Sequence, residues 1–143
     1  MGKTRYCPAD RRELEKLICQ CDPQIPLGDI DTSRITDMSS LFEGSSRSDF
    51  SGIGSWDTSS VENMSSMFEG CMRFNEDISS WNTSKVTDMS SMFSDAKAFN
   101  QPLSMWDVSR VTDMRFMFSR ASSFNHPLEW KFCLFLTPYL FFY

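Results

Sequence analysis

His126 is the single histidine of the chain. A Ser-His-Asp constellation, in which an imidazole takes the proton of an attacking hydroxyl, would have to centre on it. It stands in a slot that Glu76 and Gln101 fill earlier in the sequence, a variable position that points to no catalysis. Aspartates recur at Asp37, Asp88 and Asp113, but Asn63 replaces them in one copy. An amide cannot do a carboxylate's proton transfer, so the series reads as structural. The five cysteines, Cys7, Cys19, Cys21, Cys71 and Cys133, are odd in number and cannot all pair. Cys19-Gln20-Cys21 lacks the second pair that a four-coordinate zinc site requires. Six glycines are too few for Gly-Asp calcium turns. The sequence therefore assigns no catalytic, cofactor-binding or metal residue, no cofactor and no enzymatic activity.

The composition narrows the partners. Among 143 residues, 14 Lys and Arg face 19 Asp and Glu, a net charge of −5. That balance excludes double-stranded nucleic acid, which needs a basic stripe to neutralise phosphates. Apolar residues reach 41%, enough for a core. Charges at Lys3, Arg5, Asp10, Arg11, Arg12, Glu13, Glu15 and Lys16 leave no room for the apolar region of a signal peptide. As written, the chain reads as cytoplasmic. The uncharged run from Phe132 to Tyr143 is shorter than the roughly 20 residues that span a bilayer, and it contains Pro138. No membrane span is expected.

Ten methionines and thirteen phenylalanines in so short a chain come from one pattern copied along it. Met38-Ser-Ser-Leu-Phe42, Met64-Ser-Ser-Met-Phe68, Met89-Ser-Ser-Met-Phe93 and Met114-Arg-Phe-Met-Phe118 follow one another at spacings of 26, 25 and 25. Trp56, Trp81 and Trp106 recur in step, with Ile30 in the same slot of the first copy. Phe50, Phe74, Phe99 and Phe124 form a further column, followed by Ile53, Ile78, Leu103 and Leu128. A fixed period of this length predicts a solenoid, in which each unit buries its apolar face only against its neighbours. The Met and Trp columns are core positions in this reading. Cys71, in the column of Ser45, Ala96 and Ala121, fills a small packing slot.

Within a unit, Val86, Met89, Phe93 and Ala96 have helical spacing. Ser33, Ser59, Ser84 and Ser109 stand where they could cap a first turn, and Asp37, Asp88 and Asp113 where a carboxylate offsets the dipole. Ser59 and Glu62 have capping-box spacing. The other half, Phe99-Asn-Gln-Pro-Leu-Ser-Met-Trp106, has no helical stripe and predicts a brief extended segment. The expectation is α/β: a right-handed, leucine-rich-repeat-like solenoid of four strand-plus-short-helix coils of about 25 residues. Ahead of them, Asp10 and Glu13 box a helix that carries Leu14, Leu17, Ile18 and Cys21 on one face, an N-terminal cap. Residues 1–26 form this cap and its link, 27–130 the repeats, and 131–143 an apolar tail.

Trp81-Asn-Thr-Ser-Lys-Val-Thr-Asp-Met-Ser-Ser-Met-Phe93, Phe99-Asn-Gln-Pro-Leu103 and the entry Leu27-Gly-Asp-Ile-Asp-Thr-Ser-Arg-Ile-Thr-Asp-Met38 resemble a known repeat. It is the bacterial surface-protein repeat of the BspA-like family, and the likeness runs from Leu27 to about Leu128. The resemblance implies a leucine-rich-repeat-like fold, a place at the cell surface, and binding of host or neighbouring bacterial proteins.

A binding surface would use positions that break the columns. Arg115-Phe116 replaces Ser-Ser, and Met105 replaces the Ser55 and Ser80 slot. Glu76 and Asp77 give way to Gln101 and Pro102 in the next copy. These five are the candidate contact residues. The function expected is a non-enzymatic protein-binding module. The alternative is a structural, self-associating or truncated repeat fragment without its own ligand, and self-association would run through the C-terminal end.

Overall fold

The computed structural model describes residues 5–19 and 25–130. The apolar tail at 131–143, Cys133 and Cys21 lie outside the described residues.

The chain opens with one α-helix, α1, Arg11–Ile18. The Asp10 carboxylate accepts the Glu13 N–H at 2.9 Å, and the Glu13 carboxylate reaches back to the Ala9 N–H at 2.7 Å. Leu14 is fully buried, while Leu17 and Ile18 pack on the core from its margin.

From Leu27 onward the structure departs from the sequence expectation. The strand-plus-helix, leucine-rich-repeat-like solenoid is not built. Among the described residues there is no strand and no helix beyond α1, apart from single 3-10 turns at Leu27–Asp29 and Ile53–Ser55. Among the described residues, strand-type bridges between repeats are isolated and parallel, Asp37 to Asn63, Asn63 to Asp88 and Asp88 to Asp113. The repeats run 27–52, 53–77, 78–102 and 103–127.

Hydrogen bonding explains the departure. Met38, Ser40, Phe42 and Gly44 each send their N–H to the next repeat, onto the carbonyls of Asn63, Ser65, Met67 and Glu69 at 2.7–2.9 Å. The alternate residues Leu41, Glu43 and Ser45 close tight turns onto Met38, Ser40 and Phe42. With every second N–H leaving the segment, no run of i to i−4 bonds can form. Left-handed residues punctuate the turns: Ser40, Ser66, Ser91 and Phe116 in one column, Gly44, Gly70, Asp95 and Arg120 in the other. The apolar spacing that resembled a helix is the spacing of successive turns.

The predicted helix caps do other work. The Asp37, Asn63, Asp88 and Asp113 side chains accept the N–H two residues on, at 2.8–3.0 Å. The backbone N–H groups of Ser33, Ser59, Ser84 and Ser109 likewise donate to Asp31, Asp57, Asn82 and Asp107. These are Asx turns, the local alternative that short polar side chains offer the backbone.

Stacked rings fill the interior. Phe42, Phe68, Phe93 and Phe118 lie face to face at 5.6, 5.8 and 5.7 Å, and Phe74, Phe99 and Phe124 continue at 5.6 and 6.0 Å. Met38, Met64, Met89 and Met114 are buried beside them. Buried polar groups are answered from the neighbouring repeat. Trp56, Trp81 and Trp106 donate their indole N–H to Leu27, Ile53 and Ile78 carbonyls. Thr32, Thr58 and Thr83 donate to Asp57, Asn82 and Asp107 carbonyls. The first repeat breaks the ring stacking. Two extra residues before Phe50 turn its ring edge-on to Phe42, at 5.4 Å and 70°.

Candidate functional site

The five candidate contact residues fall in three groups on different columns of the repeat, and no bond or ring contact joins the groups among the described residues. Met105 is 84% exposed, beside the buried Trp106. Its column neighbour Ser80 instead lies 3.5 Å from the Gly54 carbonyl, onto which its hydroxyl donates. Arg115 and Phe116 occupy the turn segment of the fourth repeat. Phe116 has φ 59° and is 49% exposed, in the column of Ser40, Ser66 and Ser91. A bulky residue in the left-handed region is a genuine outlier, at a cost of about 1–2 kcal/mol.

Electrostatics separates the charged candidates. Arg115 grips Asp113 with Nε at 3.1 Å and a terminal nitrogen at 2.6 Å, in a largely exposed pair. The guanidinium holds the Asp113 carboxyl below its ordinary range, and Asp113 raises Arg115 in turn. Asp77 is held low by the Ser79 hydroxyl at 2.6 Å and its N–H at 3.0 Å. Its carboxylate thus closes a turn at an exposed position. Its carbonyl also packs onto Gly54, where a Cβ would stand 2.5 Å away. Glu76 is half-buried next to it.

Two other chemistry-bearing residues are built into the scaffold. His126 brings Nε2 to 3.2 Å from the Asn100 carbonyl, in line with the Gln101 amide that bonds Asn75 one repeat earlier. Cys71 is buried with its thiol on the Phe42 carbonyl, and burial pushes its pKa up to about 12. A thiol so disfavoured from ionising is unreactive at neutral pH. Among the described residues, no three His, Cys, Asp or Glu side chains gather where a metal ion could be held. No described helix is long and apolar enough to cross a membrane.

Two exposed large side chains, Tyr6 and Met72, escaped the sequence reading. Met72 is 54% exposed and lines a cleft of about 460 Å³ with Gly44, Ser45, Ser46, Gly70 and Arg73. It follows the small slot of Cys71, where the other repeats place Ser46, Lys97 and Ser122. The column comparison that singled out Met105 and Phe116 reaches it too.

A family model described as "Mycoplasma protein of unknown function, DUF285" matches residues 13–132. No curated protein and no solved structure matches the chain.

Proposed function

We propose that this chain, which belongs to the DUF285 family, is a protein-binding repeat module rather than an enzyme. Phe116 is the observation that carries the reading. Three of four repeats place serine at that turn position, and the fourth puts a half-exposed phenyl ring on a left-handed backbone. Strain kept at an exposed ring is a mark of a residue used for contact. Met105 adds a second apolar side chain where two other repeats carry serine. Aromatic anchors and Met are the residue types that interfaces favour. Proteins of a host or of neighbouring bacteria are the partners to screen.

Capture of purified candidate proteins on the immobilised full chain tests the reading. A captured protein should bind Phe116→Ser and Met105→Ser at least about tenfold more weakly, a loss of about 1.4 kcal/mol. It should bind His126→Ala unchanged. A partner indifferent to both apolar substitutions, or an activity that disappears with His126→Ala, would overturn it.

A further inference from the structure

Charge is spread unevenly along the repeats. Repeats 27–52 and 53–77 each hold five acids, against two and one basic residues. Repeat 78–102 balances two with two, and 103–127 holds three arginines against two aspartates. Of the four, only the last is net positive, and it is the one that carries Met105 and Phe116. Its turn segment faces Met114, Met117 and Phe118 to the core, so the exposed Arg115, Phe116 and Arg120 share the outer side. Asp113 and Asp95 lie deeper, their side chains 24% and 26% exposed, and hold Arg115 and Arg120 outward at 62% and 72%. Lys97 joins the second pair, 3.2 Å from Asp95, and donates to the Arg120 carbonyl at 3.2 Å. Three cations thus stand over two recessed carboxylates. The backbone marks the same place. Asp95, Phe116 and Arg120 are the left-handed residues larger than serine among the described residues, where the first two repeats use Gly44 and Gly70 in the Asp95 and Arg120 column. Strained backbone is thus concentrated where the cations and the ring stand.

We propose that Arg115, Phe116 and Arg120, with Lys97, dock an acidic protein segment that lays an apolar side chain on the Phe116 ring. The inference rests on the protein-binding reading and adds the partner's chemistry. Exposed ion pairs are weak, and a guanidinium carries five donors, so a partner carboxylate can join each arginine without displacing its aspartate. The acidic repeats at 27–77 repel the same partner. Attraction at one end and repulsion at the other fix the partner on the fourth repeat and set its orientation.

Fluorescence anisotropy on the full chain tests this with short labelled peptides in which one leucine is flanked by glutamates, by glutamines or by lysines. Oligothymidylate serves as a polyanion that is not a protein. The glutamate peptide should bind at least about tenfold more tightly than the glutamine peptide, and less tightly as salt rises. The lysine peptide should not bind. Phe116→Ser, Arg115→Gln and Arg120→Gln should each weaken the glutamate peptide. Arg34→Gln, which removes an exposed charge from the first repeat, should leave it unchanged. The proposal fails if the glutamate and glutamine peptides bind alike, if oligothymidylate binds as tightly as the glutamate peptide, if Arg34→Gln weakens binding as much as Arg120→Gln, or if no peptide binds. Glutamate and glutamine peptides that bind alike but still depend on Phe116 would overturn the acidic partner and leave the protein-binding reading standing. Binding indifferent to Phe116 would overturn both.

Discussion

The indole N–H of Trp130 donates to the Leu103 carbonyl at 3.0 Å, the bond that Trp106 makes to Ile78 at 3.1 Å. Trp130 stands two residues after Leu128, whereas Trp106 stands three after Leu103. Read as a string, the repeat has slipped by one at that point. In space the column continues, because a buried indole N–H needs an acceptor and the backbone shifts to provide one.

Replacing Trp130 with Phe should keep the ring and lose that bond. The Leu103 carbonyl keeps the Trp106 N–H at 3.1 Å, so the expected loss is that of one hydrogen bond, about 0.5–1.5 kcal/mol in urea unfolding. A loss below about 0.3 kcal/mol would mean that the column ends at Trp106.

Phe93 has no exposed surface and stacks on Phe99 at 4.0 Å and on rings of both neighbouring repeats. Phe93→Ala should cost about 3–5 kcal/mol through the cavity it leaves. Under about 1 kcal/mol would remove the phenylalanine column from the core.

Phe116→Gly should stabilise the chain, unlike most aromatic deletions. Relief of the left-handed backbone outweighs glycine's entropy by about 0.5–1 kcal/mol. Equilibrium unfolding reads the sign directly. Gain of stability together with loss of partner binding is the joint outcome the functional proposal requires.

Acid should weaken the fold through its Asx turns. Asp49, Asp57, Asp77 and Asp107 are held below the ordinary value of 3.8 by the serine two residues on, mainly through its hydroxyl and then its N–H. A depressed carboxyl contributes stability that is fully present above its unfolded pKa and is lost as pH falls through the folded one. Tm should therefore stay level above about pH 5 and fall below about pH 4. Asn82 makes the same turn with a neutral amide, accepting from Ser84 N–H at 3.0 Å. The triple variant Asp57→Asn, Asp77→Asn, Asp107→Asn should keep the fold and show a shallower acid limb. An unchanged limb would place the acid sensitivity elsewhere.

The sequence by itself determined the period, the residues that face inward and the places where the pattern breaks. Met, Phe and Trp columns are legible because one packing environment repeated four times demands the same side chain each time. Met105 and Phe116 are legible as exceptions to it. The capped helix α1 was also readable, since Asp10, Glu13 and Leu14 act within a few residues of one another. Secondary structure in the repeats was not. Met38, Phe42 and Ser45 have a spacing that suits a helix and a succession of turns alike, and only the destination of each N–H separates the two. That destination is a carbonyl about 25 residues away in the next repeat, so the choice belongs to the tertiary structure. The left-handed serines and Phe116, the Trp130 bond to Leu103 and the Arg11 guanidinium bonds to the Ser39 carbonyl were likewise decided there. Each answers a polar group that another part of the chain presents, and no local pattern carries that information.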